Sequence, residues 1–347
     1  MKNINQLSTI VRIVALTFSL SALPALAEKA EGVALDGTFK VAERAKTMLK
    51  VTNADAPGLK TIQRAAISSF QVEFVTKGAA GASSYEIGKS GSASTNLQIT
   101  LVGLGQPDFQ AITDQLYTEF VRDLTAMKIE VLPAERVLSS AAYKKMAASG
   151  KPSPAETRTK DTWSAVYAPQ GLAVYGVGSS SSAIALLAGF SAMSDVSSTM
   201  FGNQDLAKEL DAALLVVRMV VNFVDLQSSN SSFFGRSSGT ATVSWKFGPS
   251  VAGQSTTMAI HHAGTQASMA LNAPLLIDGA AFKELKDTTS VAANIGLALL
   301  SAAIGKGGSA SAVEKEAVAD PQQYRTLVGN GLGTVREMFM QTLQSNR

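Results

Sequence analysis

The 347 residues are 46% hydrophobic, 16% charged and 6% aromatic, with a net charge of +3 and no cysteine. That composition describes a folded globular chain and excludes the disordered and collagen-like classes. With 30 basic against 27 acidic side chains there is no charge excess of the kind that wraps nucleic acid. The missing thiols exclude disulfides, iron–sulfur clusters, cysteine-ligated zinc and cysteine nucleophiles.

The chain opens on a segment that reads as an address. Lys2 and Arg12 give it a positive start, Ile13 to Leu26 are apolar and small, and Ala25–Leu26–Ala27 is an A-x-A cleavage signal before the charged Glu28–Lys29. The apolar run is shorter than the ~20 residues that cross a bilayer, and no cysteine follows it to carry a lipid. The expectation is a signal peptide over 1–27, cleaved after Ala27, and a mature chain in the periplasm, with outer-membrane association or secretion as further destinations. A cysteine-free chain suits that oxidising compartment.

Val41, Ala45 and Leu49 recur at helical spacing, so 28–63 is expected to be a helical lead-in, with one helix from Thr38 to Val51. Arg64 to Thr76 alternates as a strand, with Phe70, Val72 and Phe74 on one face and Ser69, Gln71 and Glu73 on the other. Residues 77–95 are rich in Gly, Ala and Ser and read as a flexible connection. Thr95 to Gly103 is a second strand. From Pro107, the residues Phe109, Ile112, Leu116, Phe120 and Leu124 mark the strongest helix, leaving Asp114, Glu119 and Arg122 outside. A short strand over Ile129–Leu132 and a helix from Pro133 through Tyr143 follow, and the Gly/Pro-rich break at 148–158 is the best candidate for a domain boundary.

Gly171 to Val177 reads as a strand that ends in the serines Ser179 to Ser182, and Asp205 to Leu210 as a helix. Ala212 to Leu226 is apolar almost throughout, the signature of a central strand covered on both faces; Arg218 and Asn222 interrupt it on one face. Three alternating stretches around 239–272 predict an antiparallel meander with one wetted face. Ala280 to Leu285 is expected to be a short helix. Asp320–Pro321 supplies an N-cap and a first-turn proline for an amphipathic closing helix that holds Tyr324, Leu327, Val328, Val335, Phe339 and Leu343.

Candidate chemistry is sparse. His261 and His262 are the two histidines, and as strand neighbours they point to opposite faces, so they cannot chelate one metal together. No G-x-S-x-G elbow or S-x-x-K pattern supplies a serine nucleophile. The serines at 179–182 either cradle an anion with their backbone N–H groups or form a plain loop. Gly329, Gly331 and Gly333 sit within a helical pattern, where a kink or a close helix contact suits them better than a phosphate loop. Asp205, Glu209 and Asp211 could form acid/base pairs or a solvated helix surface. Arg218 on a buried strand needs a carboxylate partner, Glu73 or Asp225, or else a ligand. The small-residue apolar runs 183–193 and 291–304 are too short to span a bilayer as helices.

The order of AAISSFQVEF, helix DFQAITDQLYTEFVRDL, strand KIEVLP, helix AERVLSSAAYKKM and strand LLVVRMVVNFVDL ahead of SSNSSFFGRSSGTATVSWKF resembles the periplasmic domains of the curli-secretion-channel (CsgG-like) and TolB N-terminal-like group. Arg136–Val137–Leu138 stands where that group has its R-x-L turn into a helix. The resemblance covers about residues 64–250 and implies a mixed α/β domain used for assembly, usually without catalysis. The lipid-anchoring cysteine of the curli channel is missing here.

The expected fold is therefore α/β: a mixed sheet with flanking helices, a meander near 239–272 and a C-terminal helix. The expected parts are 1–27 as signal peptide, 28–63 as lead-in, 64–288 as the α/β domain and 289–347 as a C-terminal helical extension. The expected function is non-catalytic: an envelope interaction or assembly subunit without cofactor. Its partners would be envelope proteins, copies of itself and a peripheral membrane surface, not nucleic acid. The alternative is a soluble periplasmic binding protein that takes a hydrophobic or anionic ligand through Arg218 and the Gly/Ser loops; Arg218 and Asn222 form the expected polar site, serving either a ligand or the structure.

Overall fold

Arg64–Tyr85 (β3) and Ala213–Ser229 (β8) lie parallel at the centre of a mixed sheet, in register from Ala65↔Ala213 to Phe74↔Val221. Their apolar side chains explain the position: Phe70, Val72, Phe74, Leu214, Val217, Met219 and Phe223 are all buried, as expected for strands covered on both faces. The computed structural model describes residues 31–85, 92–148, 150–159, 161–169, 171–175, 203–229, 242–262, 264–289 and 310–347. The expected signal peptide, the serines at 179–182 and the runs 183–193 and 291–304 lie outside the described residues.

The fold class is mixed α/β, as expected. Among the described residues fourteen strands join in one sheet whose main path is β1 (Val33–Leu35), β12 (Leu275–Ile277), β9 (Thr242–Val251), β8, β3, β4 (Ser92–Val102), β14 (Ala310–Ala319) and β13 (Phe282–Asp287). Six strands branch from that path: β2 (Leu49–Thr52), β5 (Glu130–Val131), β6 (Ala155–Arg158), β7 (Thr162–Tyr167), β10 (Thr257–His262) and β11 (Thr265–Leu271). The helices are α1 (Val41–Met48), α2 (Gln106–Ala126), α3 (Ala134–Ser139), α4 (Ala141–Ala147), α5 (203–210) and α6 (Pro321–Asn346).

The helix α2 forms where the 3.6-residue periodicity places it. The Asp108 carboxylate accepts from the Gly105 amide at 2.9 Å and secures its start. Its buried stripe meets β3 through aromatic contacts: Phe70 packs edge-on against Tyr117 and Phe120 with ring centroids 5.4 and 5.5 Å apart, and Phe74 lies 4.6 Å from Phe109. Each fully buried ring of this kind contributes about 1.5–3 kcal/mol through burial. At the head of α6 the Asp320 carboxylate accepts from the Gln322 and Gln323 amides, both at 3.0 Å, with Pro321 in the first turn. Within that helix Gly331 permits a close approach, since a Cβ there would stand 2.5 Å from the Ile277 side chain of β12.

Several expectations are corrected. Residues 31–347 form one unit, so the lead-in and the C-terminal extension are not appendages: β1 and β2 of the first and β14 of the second are strands of the sheet. The helix expected over Thr38–Val51 stops at Met48, because Leu49–Thr52 pairs with β11. The connection expected over 77–95 is strand at both ends, since β3 runs on to Tyr85 and pairs with β4. Small residues suppress the alternation that marks a strand, yet the backbone still finds a ladder partner. The break at 148–158 is not a boundary, because Lys151 bridges to Val174 and β6 pairs with β7.

The helix expected over Ala280–Leu285 is β13, antiparallel to β14. The strand expected at Gly171 contributes, among the described residues, only the bridge at Val174. The meander is partial. β10 and β11 form a hairpin, but β9 and β10 do not pair with each other; both pair with β8, one after the other along the same edge.

Candidate functional site

The polar face of the central strands holds the one polar site singled out from sequence. Arg218 on β8 stands in register with Gln71 on β3, two residues from Glu73 on the same strand face, and its guanidinium Nη2 meets the Glu73 carboxylate at 2.5 Å. Both side chains are largely buried, 17% and 11% exposed. Gln71 completes the row. In the orientation that satisfies both ends of its amide, it donates to the Tyr175 carbonyl at 3.2 Å and accepts from the Tyr175 amide at 2.8 Å and the Ser69 hydroxyl at 2.9 Å.

Of the two partners that the sequence offered, the structure joins Arg218 to Glu73. A guanidinium in this setting has traded its hydration for a carboxylate. Arg218 Nε is buried without a hydrogen-bond partner among the described residues. Asn222 shares the face of Arg218 and stands opposite Ser250 of β9. Four residue steps along β8, about 13 Å, lie between it and Arg218.

The strand alternation expected for β3 is broken once. The register skips between Ile67 and Ser69, and the extra residue, Ser68, has its hydroxyl 3.4 Å from the Asn203 side chain of α5. Above this seam, Tyr143 accepts from the Ala173 amide at 3.1 Å. Burial, with Tyr143 beside it, pushes the Tyr175 phenol far above its ordinary value, so it stays neutral.

Two of the acidic candidates, Glu209 and Asp211, have structural partners. The Glu209 carboxylate accepts from the Ala141 and Ala142 amides, both at 2.9 Å, and so caps α4 together with the Ser140 hydroxyl. Asp211 lies 3.7 Å from Arg64, which also meets Glu130 at 3.1 Å. His261 stands opposite Leu214 and Gln266, and burial lowers its pKa, keeping the ring neutral. Among the described residues no group of three or more His, Asp or Glu side chains is placed to hold a metal ion, and no helix is long and apolar enough to cross a membrane.

Two features escaped sequence reasoning. Arg336 of α6 is buried between Glu119 and Asp123 of α2; the signal was a charged residue on the inward stripe of an amphipathic helix. The indole of Trp163 on β7 has Lys77 Nζ 4.9 Å and the Arg158 guanidinium 4.5 Å from its ring centre. No sequence spacing announces that second group, because its members meet only through strand register. No protein-family model, curated protein or solved structure matches the chain.

Proposed function

We propose that this chain is an exported, non-catalytic envelope protein that works as an interaction or assembly subunit in the periplasm or at the outer membrane, with envelope proteins and copies of itself as partners. The observation that carries the reading is strand length. β3 has 22 residues and β8 has 17, against a usual length of about 5–6. At 3.3 Å per residue β3 extends about 70 Å, whereas a compact domain of this size is about 50 Å across.

Past Phe74↔Val221 the two strands separate, and each takes its own antiparallel partner, β4 for β3 and β9 for β8. Such ribbons exceed what a self-contained core needs, and strands of this kind are the material from which subunits build shared sheets. The A-x-A signal at Ala25–Ala27 supports export, and the likeness in element order to periplasmic assembly domains supports the same class of role. The Arg218 guanidinium is held by the Glu73 carboxylate, which weighs against a ligand site there.

The test is the native mass of the exported chain by light scattering, after cells are separated into periplasm and membranes. A species several times the chain mass, or recovery with the outer membrane, is expected. A monomer confined to the periplasm would overturn the reading and bring the soluble binding protein forward.

A further inference from the structure

One row of side chains crosses six strands at the level where the two ribbons separate. Strand register aligns Arg158 of β6 with Trp163 of β7, Trp163 with Lys77 of β3, Lys77 with Thr100 of β4, Thr100 with Glu316 of β14, and Glu316 with Lys286 of β13. Residues paired in this way share a face. Arg158 and Lys286 are exposed, and Trp163, Lys77, Thr100 and Glu316 are half-buried. The row carries three cations and one carboxylate.

Beyond the row the composition changes. Residues 78–85 of β3 and 92–99 of β4 contain no Asp, Glu, Lys, Arg or His, and β14 has none before Glu314. The chain's other tryptophan, Trp245, occupies a comparable level on the second ribbon: it pairs in register with Leu226, next to the Asp225↔Lys246 pair, a few residues past Val221. Along β3, β4, β8 and β9 both tryptophans thus stand where charged strand gives way to uncharged strand, with Lys315 and Glu314 of β14, Asp287 of β13 and Asp161 beside Ala79 as the charges beyond the row; tryptophan at such a change marks a water–lipid boundary.

We propose that Trp163, Lys77 and Arg158 form a contact site for an anionic phospholipid surface. The inference rests on the envelope reading above and adds the partner's chemistry. Lys77 and Arg158 are the register partners of Trp163 on its two neighbouring strands, so cations flank the indole on both sides. The result is an indole between two donors, and a headgroup layer suits both parts: the phosphates take the cations while the aromatic ring settles at the interface. Glu156, on the same strand face as Arg158, and Glu316 in the row temper the charge, so the attraction is local and salt-sensitive.

The experiment uses the full exported chain with Trp245→Phe, which leaves Trp163 as its one tryptophan, excited selectively at about 295 nm. Vesicles of phosphatidylcholine mixed with phosphatidylglycerol should float the protein, shift Trp163 emission to the blue, and quench it when the lipid is brominated near the headgroup. K77Q/R158Q, checked for folding by circular dichroism, should bind about thirty-fold more weakly. If that variant does not fold, emission and quenching in the parent decide. Emission unchanged by vesicles, flotation unaffected by K77Q/R158Q, or a response to polyglutamate and none to vesicles would overturn the site. Light scattering separates the two readings: an oligomer that ignores vesicles sinks this site and leaves the assembly role, and a monomer that binds them does the reverse.

Discussion

Arg336 of α6 reaches across to Glu119 of α2, and the contact joins the two longest helices among the described residues by a charge that water barely touches. Arg336 is 10% exposed in its side chain, and its Nε also lies 2.8 Å from Asp123. Removing one member of such a group leaves the others with their desolvation and without their Coulomb energy. Arg336→Ala should therefore lower stability by about 3 kcal/mol, measured as a shift of the urea midpoint at unchanged slope. A shift under about 0.5 kcal/mol would show that water reaches the carboxylates freely.

The same pair gives acid sensitivity with a definite sign. Burial pushes the Glu119 carboxyl upward, but hydrogen bonds from Gln115 and Arg336 and the Arg336 charge outweigh it, holding the group below its ordinary 4.5. A carboxylate with a depressed folded pKa stabilises the fold above its unfolded value, and that stability is lost as pH falls through the folded value. Stability should hold above about pH 5 and fall below about 4.5. Urea titrations of Glu119→Gln across that window should show a shallower fall than the parent; identical slopes would count against the assignment.

Gly331 and Ile277 make a prediction whose sign depends on background. An alanine at 331 gains about 1 kcal/mol in helix propensity, but its methyl would meet Ile277 Cδ1 at 2.5 Å and Cγ1 at 2.8 Å. Overpacking of that kind costs about 1–3 kcal/mol, so Gly331→Ala should destabilise the parent. In an Ile277→Ala background, where both Cδ1 and Cγ1 are gone, the same change should be neutral or stabilising. A thermal-melt double-mutant cycle with zero coupling would refute the contact.

Arg218 and Glu73 distinguish a structural pair from a ligand site. Glu73→Ala leaves a largely buried guanidinium without its partner and should cost about 3–5 kcal/mol, with much of the loss recovered when Arg218→Met accompanies it. Recovery in the double variant, read by urea denaturation, marks a pair that serves the sheet. Full stability in Glu73→Ala alone would mean that Arg218 is held by something else.

The pieces legible in the sequence were those whose signal is local. Phe109, Ile112, Leu116, Phe120 and Leu124 reveal α2 because a buried stripe must repeat every 3.6 residues. Asp320–Pro321 reveals the start of α6 because exposed helix-end amides need a cap. The continuous apolarity of Ala212–Leu226 reveals β8 because both of its faces are covered. The distal half of β3 was illegible for the converse reason: Gly78, Ala79, Ala80, Gly81 and Ala82 carry no alternation, and what makes them strand is their hydrogen bonding to β4. Phe282–Asp287 likewise looked helical until β14, distant in the chain, supplied its ladder.

Composition and periodicity determined by themselves that this is a mixed α/β chain, with a central strand bearing one arginine that needs a partner and with no thiol chemistry. Which carboxylate answers Arg218, which residue of α2 answers Arg336, and that Lys77, Trp163 and Arg158 stand in one row were decided only by tertiary structure. Register between strands far apart in sequence is set by the packing of the whole core, and no local pattern records it.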